Sequence, residues 1–198
     1  MTNPTSDLLR QTLTGLRAFV VLTVILGVAY PVAVWAIGQT AFRDNADGQM
    51  LEQSDTTVGS AIIGQAFTGK ALFHSRPSAG DYDALASAPS NLGPSNPDLI
   101  DEIAKRRATI AKAEDVTPSA VPPDAVTASG SGLDPYISPE YAAIQVRRVA
   151  ASTGVSADEV RGLVAQHTDG RMLGFLGEPK VNVLELNLAV QARTDGAN

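Results

Sequence analysis

Ser129, Ser131, His74 and Asp134 supply the residue types of a hydrolytic triad: a hydroxyl to attack, an imidazole to take its proton, a carboxylate to orient the ring. Their spacing does not support that chemistry. Ser129-Gly130-Ser131-Gly132 has neither the G-x-S-x-G spacing nor the strand-turn-helix setting of a nucleophile elbow. No G-x-x-x-x-G-K-S/T run offers a backbone cradle for nucleotide phosphates, and no D-K-T-G phosphorylation motif is present. The two histidines, His74 and His167, are too few and too far apart for an imidazole metal site, and with no cysteine thiolate ligands and disulfides are excluded. Taken singly, each residue reads as structural. His74 is a polar strand residue, His167 a cation suited to a helix end, and Asp134 before Pro135 a turn former. Lys105-Arg106-Arg107, flanked by Asp101, Glu102 and Lys112, reads as a solvated helix face. A membrane-anchored hydrolase using the Ser-rich loop is the alternative function these residues leave open.

The elements that must position these groups begin with a membrane helix. Ala18 to Phe42 carries no charged side chain and is bounded by Arg17 and Arg43. A helix rises about 1.5 Å per residue, so some 20 residues cross the roughly 30 Å hydrocarbon core, and this run is apolar on every side. It exceeds the ~7–15 apolar residues of a cleaved signal peptide. Tyr30-Pro31 predicts a bend, and Trp35 stands where an indole meets the headgroups. Residues 1–43 hold three basic groups and one acid. Residues 44–198 hold the remaining 12 basic and 20 acidic groups, a net of −8. An acidic body of this kind is no nucleic-acid surface. Arg10 and Arg17 precede the span and Arg43 follows it, which orients the amino terminus to the cytoplasm and the body outside.

The expected organisation is therefore 1–15 cytoplasmic, 16–42 transmembrane, 43–56 a connector, 57–193 an extracytoplasmic α+β domain, and 194–198 a tail. TVGSAIIGQAF is expected as a strand, ALFHSRPSAGDY as the source of a second short strand ending at Arg76-Pro77, and SAPSNLGPSNP as continuous turn. Asn96-Pro97-Asp98 opens a helix to about Ala113, and Ser138-Pro139-Glu140 opens one that Gly154 stops. Ser156-x-x-Glu159 is a capping box for a helix to about His167. Asn182-Val-Leu-Glu185 starts a fourth, placing Leu184, Leu188 and Gln191 on one side, although VNVLELNLAV also alternates partly like a strand. The stretch between the first two helices is irregular, with Gly130 expected at positive φ. The fold class is one N-terminal transmembrane helix plus a soluble α+β domain, a small sheet with three or four helices.

Three segments are specific in combination: GSAIIGQAF with FHSRPSAGDYD, then SNLGPSNPDL, then VTASGSGLDPYISPEYAAIQVRRVA, all behind one membrane helix. In this order, with the closing KVNVLELNLA, the chain resembles the C subunit of the Kdp potassium-transporting ATPase. The resemblance implies a non-catalytic subunit of a bacterial inner-membrane complex that imports K⁺ at the expense of ATP. Its partners would be a potassium-channel-like subunit, a P-type ATPase subunit and a small single-span subunit. It also implies a role in assembly and in raising the ATP affinity of the ATPase subunit, with no cofactor held by this chain itself. By that analogy Gln145 is the candidate nucleotide contact; its structural reading is a half-exposed helix glutamine. ATP is cytoplasmic, so an external domain would act on ATP affinity through coupled conformations.

Overall fold

The computed structural model describes residues 4–196, which fall into two compact units, one up to Gln49 and one from Met50 onward. In the first unit, α1 (Pro4–Val24), a π turn (Ile25–Ala29) and α2 (Tyr30–Ala41) run on without interruption, followed by the single turn α3 (Arg43–Ala46). Asp7–Ala41 is long and apolar enough to span a membrane. At 35 residues it reaches about 50 Å, more than the hydrocarbon core requires. The π turn has a local cause. Pro31 has no N–H to give, and Tyr30 donates to the Ile25 carbonyl five residues back instead of four, so the helix widens by one residue just before the proline. The hydroxyls of Thr12, Thr14 and Thr40 each bond back to the carbonyl of the residue four earlier, so these three donors are satisfied within the helix.

In the second unit, β1 (Met50–Gln53) and β2 (Thr56–Ser60) form an antiparallel hairpin with a bulge at Leu51/Glu52. Residues 43–56, expected as a connector, thus contain a helical turn and the start of this hairpin. Its turn is Ser54-Asp55, both at positive φ, a type I′ pattern made without the usual glycine signal. The expected strand in TVGSAIIGQAF ends at Ser60, and the expected strand in 71–82 does not form.

Helices α4 (Pro97–Glu114), α6 (Pro139–Thr153) and α7 (Ala157–Gln166) begin where their caps predict. Asn96, Ser138 and Ser156 accept from the N–H of Asp98, Tyr141 and Glu159 respectively, and Gly154 closes α6 in the left-handed region. The short α5 (Pro123–Val126) and β3 (Tyr136–Ile137) lie between α4 and α6. Strand β3 pairs with β5 (Lys180–Asn182), which also pairs with β4 (Thr168–Asp169), giving the antiparallel order β3-β5-β4. Both readings of VNVLELNLAV are partly met. KVN is strand, and α8 (Val183–Gly196) follows at once, its first N–H groups capped by Asn182 Oδ1 at 3.1 and 3.2 Å. The cap fixes the entry angle, so Val183, Leu186, Asn187 and Val190 face inward, whereas Leu188 and Gln191 are only half-buried. Of the expected tail, residues 194–196 belong to α8, and 197–198 lie outside the described residues, as do 1–3 of the expected cytoplasmic segment.

The core lies between α6, α7, α8 and the three-stranded sheet. On α6 the buried residues Tyr141, Ala142, Gln145, Val146, Val149 and Ala150 recur at helical spacing. They meet Val160 and Leu163 of α7, Val181 of β5, and Val183, Leu186 and Val190 of α8 in one cluster that also takes in Phe73.

Glycine is required at Gly64 and Gly132. A Cβ on Gly64 would sit 2.5 Å from the Asp134 carbonyl oxygen and 2.6 Å from Tyr82, and the first of these is backbone that cannot swing away. Gly132 has φ +71 and would press a Cβ to 3.1 Å from the Ala88 carbonyl. Gly130, expected to be the constrained position, has open space around it and no positive φ. Gly64→Ala is therefore expected to destabilise the domain by about 1–3 kcal/mol, while Gly130→Ala stays within about 0.5 kcal/mol. Thermal unfolding of the two full-length variants side by side checks this.

Candidate functional site

The segment from Phe67 to Tyr82 makes no strand, yet two of its residues are hydrogen-bonded as a strand would be. Asn187 of α8 accepts from the Phe73 N–H at 2.7 Å and donates to the Phe73 carbonyl at 3.0 Å. Gln145 of α6 does the same for His74, accepting at 2.7 Å and donating at 3.2 Å. A primary amide presents one acceptor and one donor side by side, the same pair that a neighbouring strand offers. Two side-chain amides thus stand in for a β-ladder, and Phe73 is lowered into the core with its backbone satisfied.

Arg148, one turn after Gln145, completes the grip. Its Nε lies 3.0 Å from both carboxylate oxygens of Glu114, the last residue of α4. Its terminal nitrogens donate to the carbonyls of Lys70 and Leu72 at 2.8 Å and to Gln145 Oε1 at 2.8 Å. The Glu114 side chain is 2% exposed and that of Arg148 10%, so the pair is held out of water and its value depends on these extra bonds.

A second set of bonds ties the same segment to the glycine-rich loop. Arg76 pairs with Asp134 at 2.8 Å and donates to the Thr127 carbonyl at 3.1 Å. Ser129 N–H donates to the Pro77 carbonyl and Ser78 Oγ to the Gly132 carbonyl, while within the segment Tyr82 Oη donates to the Arg76 carbonyl. FHSRPSAGDYD and VTASGSGLDP, far apart in the chain, are therefore one structural unit.

The side chains first considered for hydrolysis are dispersed among these duties. Ser129 is buried and its Oγ accepts from the Gly132 N–H; Ser131 Oγ accepts from the Leu133 N–H. His74 Nε2 bonds the Gly69 carbonyl at 2.8 Å, and Asp134 holds Arg76 and the Tyr136 N–H. Gln145, read from the sequence as a half-exposed helix residue, is fully buried; its amide faces the His74 backbone and Arg148. In the sequence Asn187 is a lone asparagine in an apolar run and carries no local signal. Of the basic cluster, Lys105 and Arg107 are exposed, while Arg106 pairs with Glu102 and donates to the Val126 carbonyl. His167 closes α7, its Nδ1 on the Leu163 carbonyl. Among the described residues, no buried side-chain nitrogen or oxygen lacks a partner. Burial, then the Glu114 charge, pushes the Tyr141 phenol up, so it stays protonated.

Burial lowers His74 below its ordinary 6.5, with the Gly69 bond opposing and the Arg148 charge assisting. A carbonyl only accepts, so the bonded Nε2 carries the proton of the neutral ring. The unfolded chain then binds a proton more readily than the native one over the interval just below 6.5. Stability is complete above that pH and declines as the pH falls through the interval. Unfolding midpoints measured from pH 7.5 down to 5 are expected to drop in the wild type, and less in His74→Gln, whose amide can still donate to Gly69.

These features define a class: a domain on one membrane-spanning helix whose polar side chains are engaged in fixing its own backbone. The family profile KdpC, "K+-transporting ATPase, c chain", matches residues 12–192. The Potassium-transporting ATPase KdpC subunit of Kineococcus radiotolerans is 54% identical over 189 residues, covering 94% of this chain and 96% of that protein. That of Beijerinckia indica is 48% identical over 178 residues, 89% of this chain and 90% of that one. That of Mycobacterium tuberculosis is 50% identical over 184 residues, 91% and 97%. The chain belongs to the KdpC family.

Proposed function

We propose that this chain serves as the accessory c chain of a potassium-transporting ATPase and that its domain acts as a rigid docking and coupling element. Family membership along nearly the whole chain supports the subunit role. The observation that carries the non-catalytic reading is the amide and guanidinium network, in which the groups best able to do chemistry hold the segment 69–76 instead. The helix crosses a bacterial inner membrane with its amino terminus in the cytoplasm, and the domain lies outside. Partners are the channel-like subunit, the P-type ATPase subunit and the small single-span subunit. ATP is handled by the ATPase subunit. Any rise in its ATP affinity comes through coupled conformations of the complex, and Gln145 contributes by keeping the 69–74 segment in place rather than by touching nucleotide.

Topology tests this reading most directly. The chain has no cysteine, and Leu85 is 98% exposed, so Leu85→Cys provides a single accessible thiol. Labelling of intact spheroplasts by a membrane-impermeant maleimide is expected. Labelling only after lysis would place the domain in the cytoplasm and reopen direct nucleotide contact. Tagged chain from K⁺-starved cells is expected to bring large multi-spanning partners with it.

A further inference from the structure

Between β4 and β5 the chain projects a short hairpin whose tip is apolar. Met172 and Leu176 exchange both backbone bonds at 2.9 Å, and Leu173 and Gly174 make the turn at φ +54 and +82. Met172, Leu173 and Phe175 are 70, 80 and 69% exposed, and Leu176 is 48% exposed. Behind the tip, Arg171 pairs with Glu178 at 2.6 Å.

A leucine at positive φ is unusual; asparagine, aspartate or glycine makes this turn more readily. Here a bulky residue holds a disfavoured conformation while its side chain gains nothing from burial in its own domain. Such an outlier points to use elsewhere. These four apolar side chains stand exposed within five consecutive residues, and apolar groups gathered at the surface in this way mark interaction sites. The patch falls short of the ~800 Å² per partner that a self-standing complex buries, so it does not suit dimerisation in solution. It suits a partner already held nearby in the same membrane, where tethering raises the effective concentration. A lipid surface fits less well, because binding there calls for free Lys or Arg beside the apolar residues. Arg171 is paired, and Lys180 lies over the Tyr136 ring at 3.6 Å.

We propose that the 172–176 tip is a docking knob that inserts into an uncharged apolar pocket on another chain of the same potassium-transporting ATPase. This rests on the subunit role proposed above. The test uses the full complex in native membranes, with Phe175→Cys or, as a control, Leu85→Cys carrying a benzophenone maleimide. After irradiation, an adduct between this chain and another transporter chain is expected at Phe175 several-fold above Leu85. An adduct only with lipid or with a second copy, or none, overturns the proposal. In parallel, Leu173→Gly with Phe175→Ser relaxes the turn and removes two exposed side chains. Unfolding of the purified chain is expected at an equal or higher temperature, with several-fold less partner retained on purification; unchanged retention overturns the proposal. If the unaltered chain brings no partner, the subunit role itself fails. If it does, and the tip neither crosslinks nor affects retention, only the knob is refuted.

Discussion

Arg148→Met is expected to destabilise the soluble domain by about 3–5 kcal/mol, the usual cost of leaving one member of a buried ion pair alone. The substitution keeps the aliphatic stem but strands the Glu114 carboxylate, whose side chain is 2% exposed. It also removes the donors to the Lys70 and Leu72 carbonyls. Those two residues lie near the surface and can turn to water, so the carboxylate dominates the loss. Adding Glu114→Leu to Arg148→Met should therefore restore part of the stability, because no charge is then left buried. Thermal unfolding of the full chain in detergent, followed by far-UV circular dichroism, separates the cases. A double variant no more stable than Arg148→Met would mean that the stranded charge is not what dominates the loss.

Asn187→Asp should cost about 2–4 kcal/mol although it changes one atom type and no volume. The donor to the Phe73 carbonyl becomes an acceptor, so two oxygens face each other in a buried site and the carboxylate has only the Phe73 N–H to satisfy it. Gln145→Glu should be milder. Its new oxygen opposes the His74 carbonyl, but Arg148 stands 2.8 Å from Oε1 and compensates the charge. Hydrogen exchange of the Phe73 and His74 amides gives the local readout: exchange at Phe73 should accelerate most in Asn187→Asp. Equal protection in both variants and the wild type would show that the amides do not hold this segment.

The two variants also bear on the proposed coupling. If Gln145 acts by holding the 69–74 segment, Asn187→Asp, on a different helix, should disturb ATP affinity of the assembled transporter in the same direction as Gln145→Glu. An effect confined to Gln145 would favour a direct nucleotide contact.

What the sequence determined by itself is local in origin. The membrane span follows from an uncharged run longer than the bilayer core, and its irregularity from one missing N–H at Pro31. The starts of α4, α6 and α7, and the N-cap of α8, follow from side chains that bond backbone two or three residues ahead, an interaction that needs no tertiary partner. The resemblance carried by the short segments points to the same family as the profile over residues 12–192. Tertiary structure decided the rest. Phe73 and Asn187 are 114 positions apart, and His74 and Gln145 are 71 apart, so nothing in either neighbourhood announces that an amide replaces a strand. Residues 71–76 therefore read as a strand from composition and fold as a strap. Gln145 looked half-exposed because its α6 neighbours are mixed in polarity; its burial depends on a segment arriving from elsewhere in the chain. The glycine that the loop requires is Gly132 and not Gly130, because the constraint comes from Ala88 and from a backbone φ that composition does not encode. Periodicity and capping report a residue's relation to its near neighbours in sequence. Burial of a charge or an amide is a relation to distant ones, and only the folded chain supplies it.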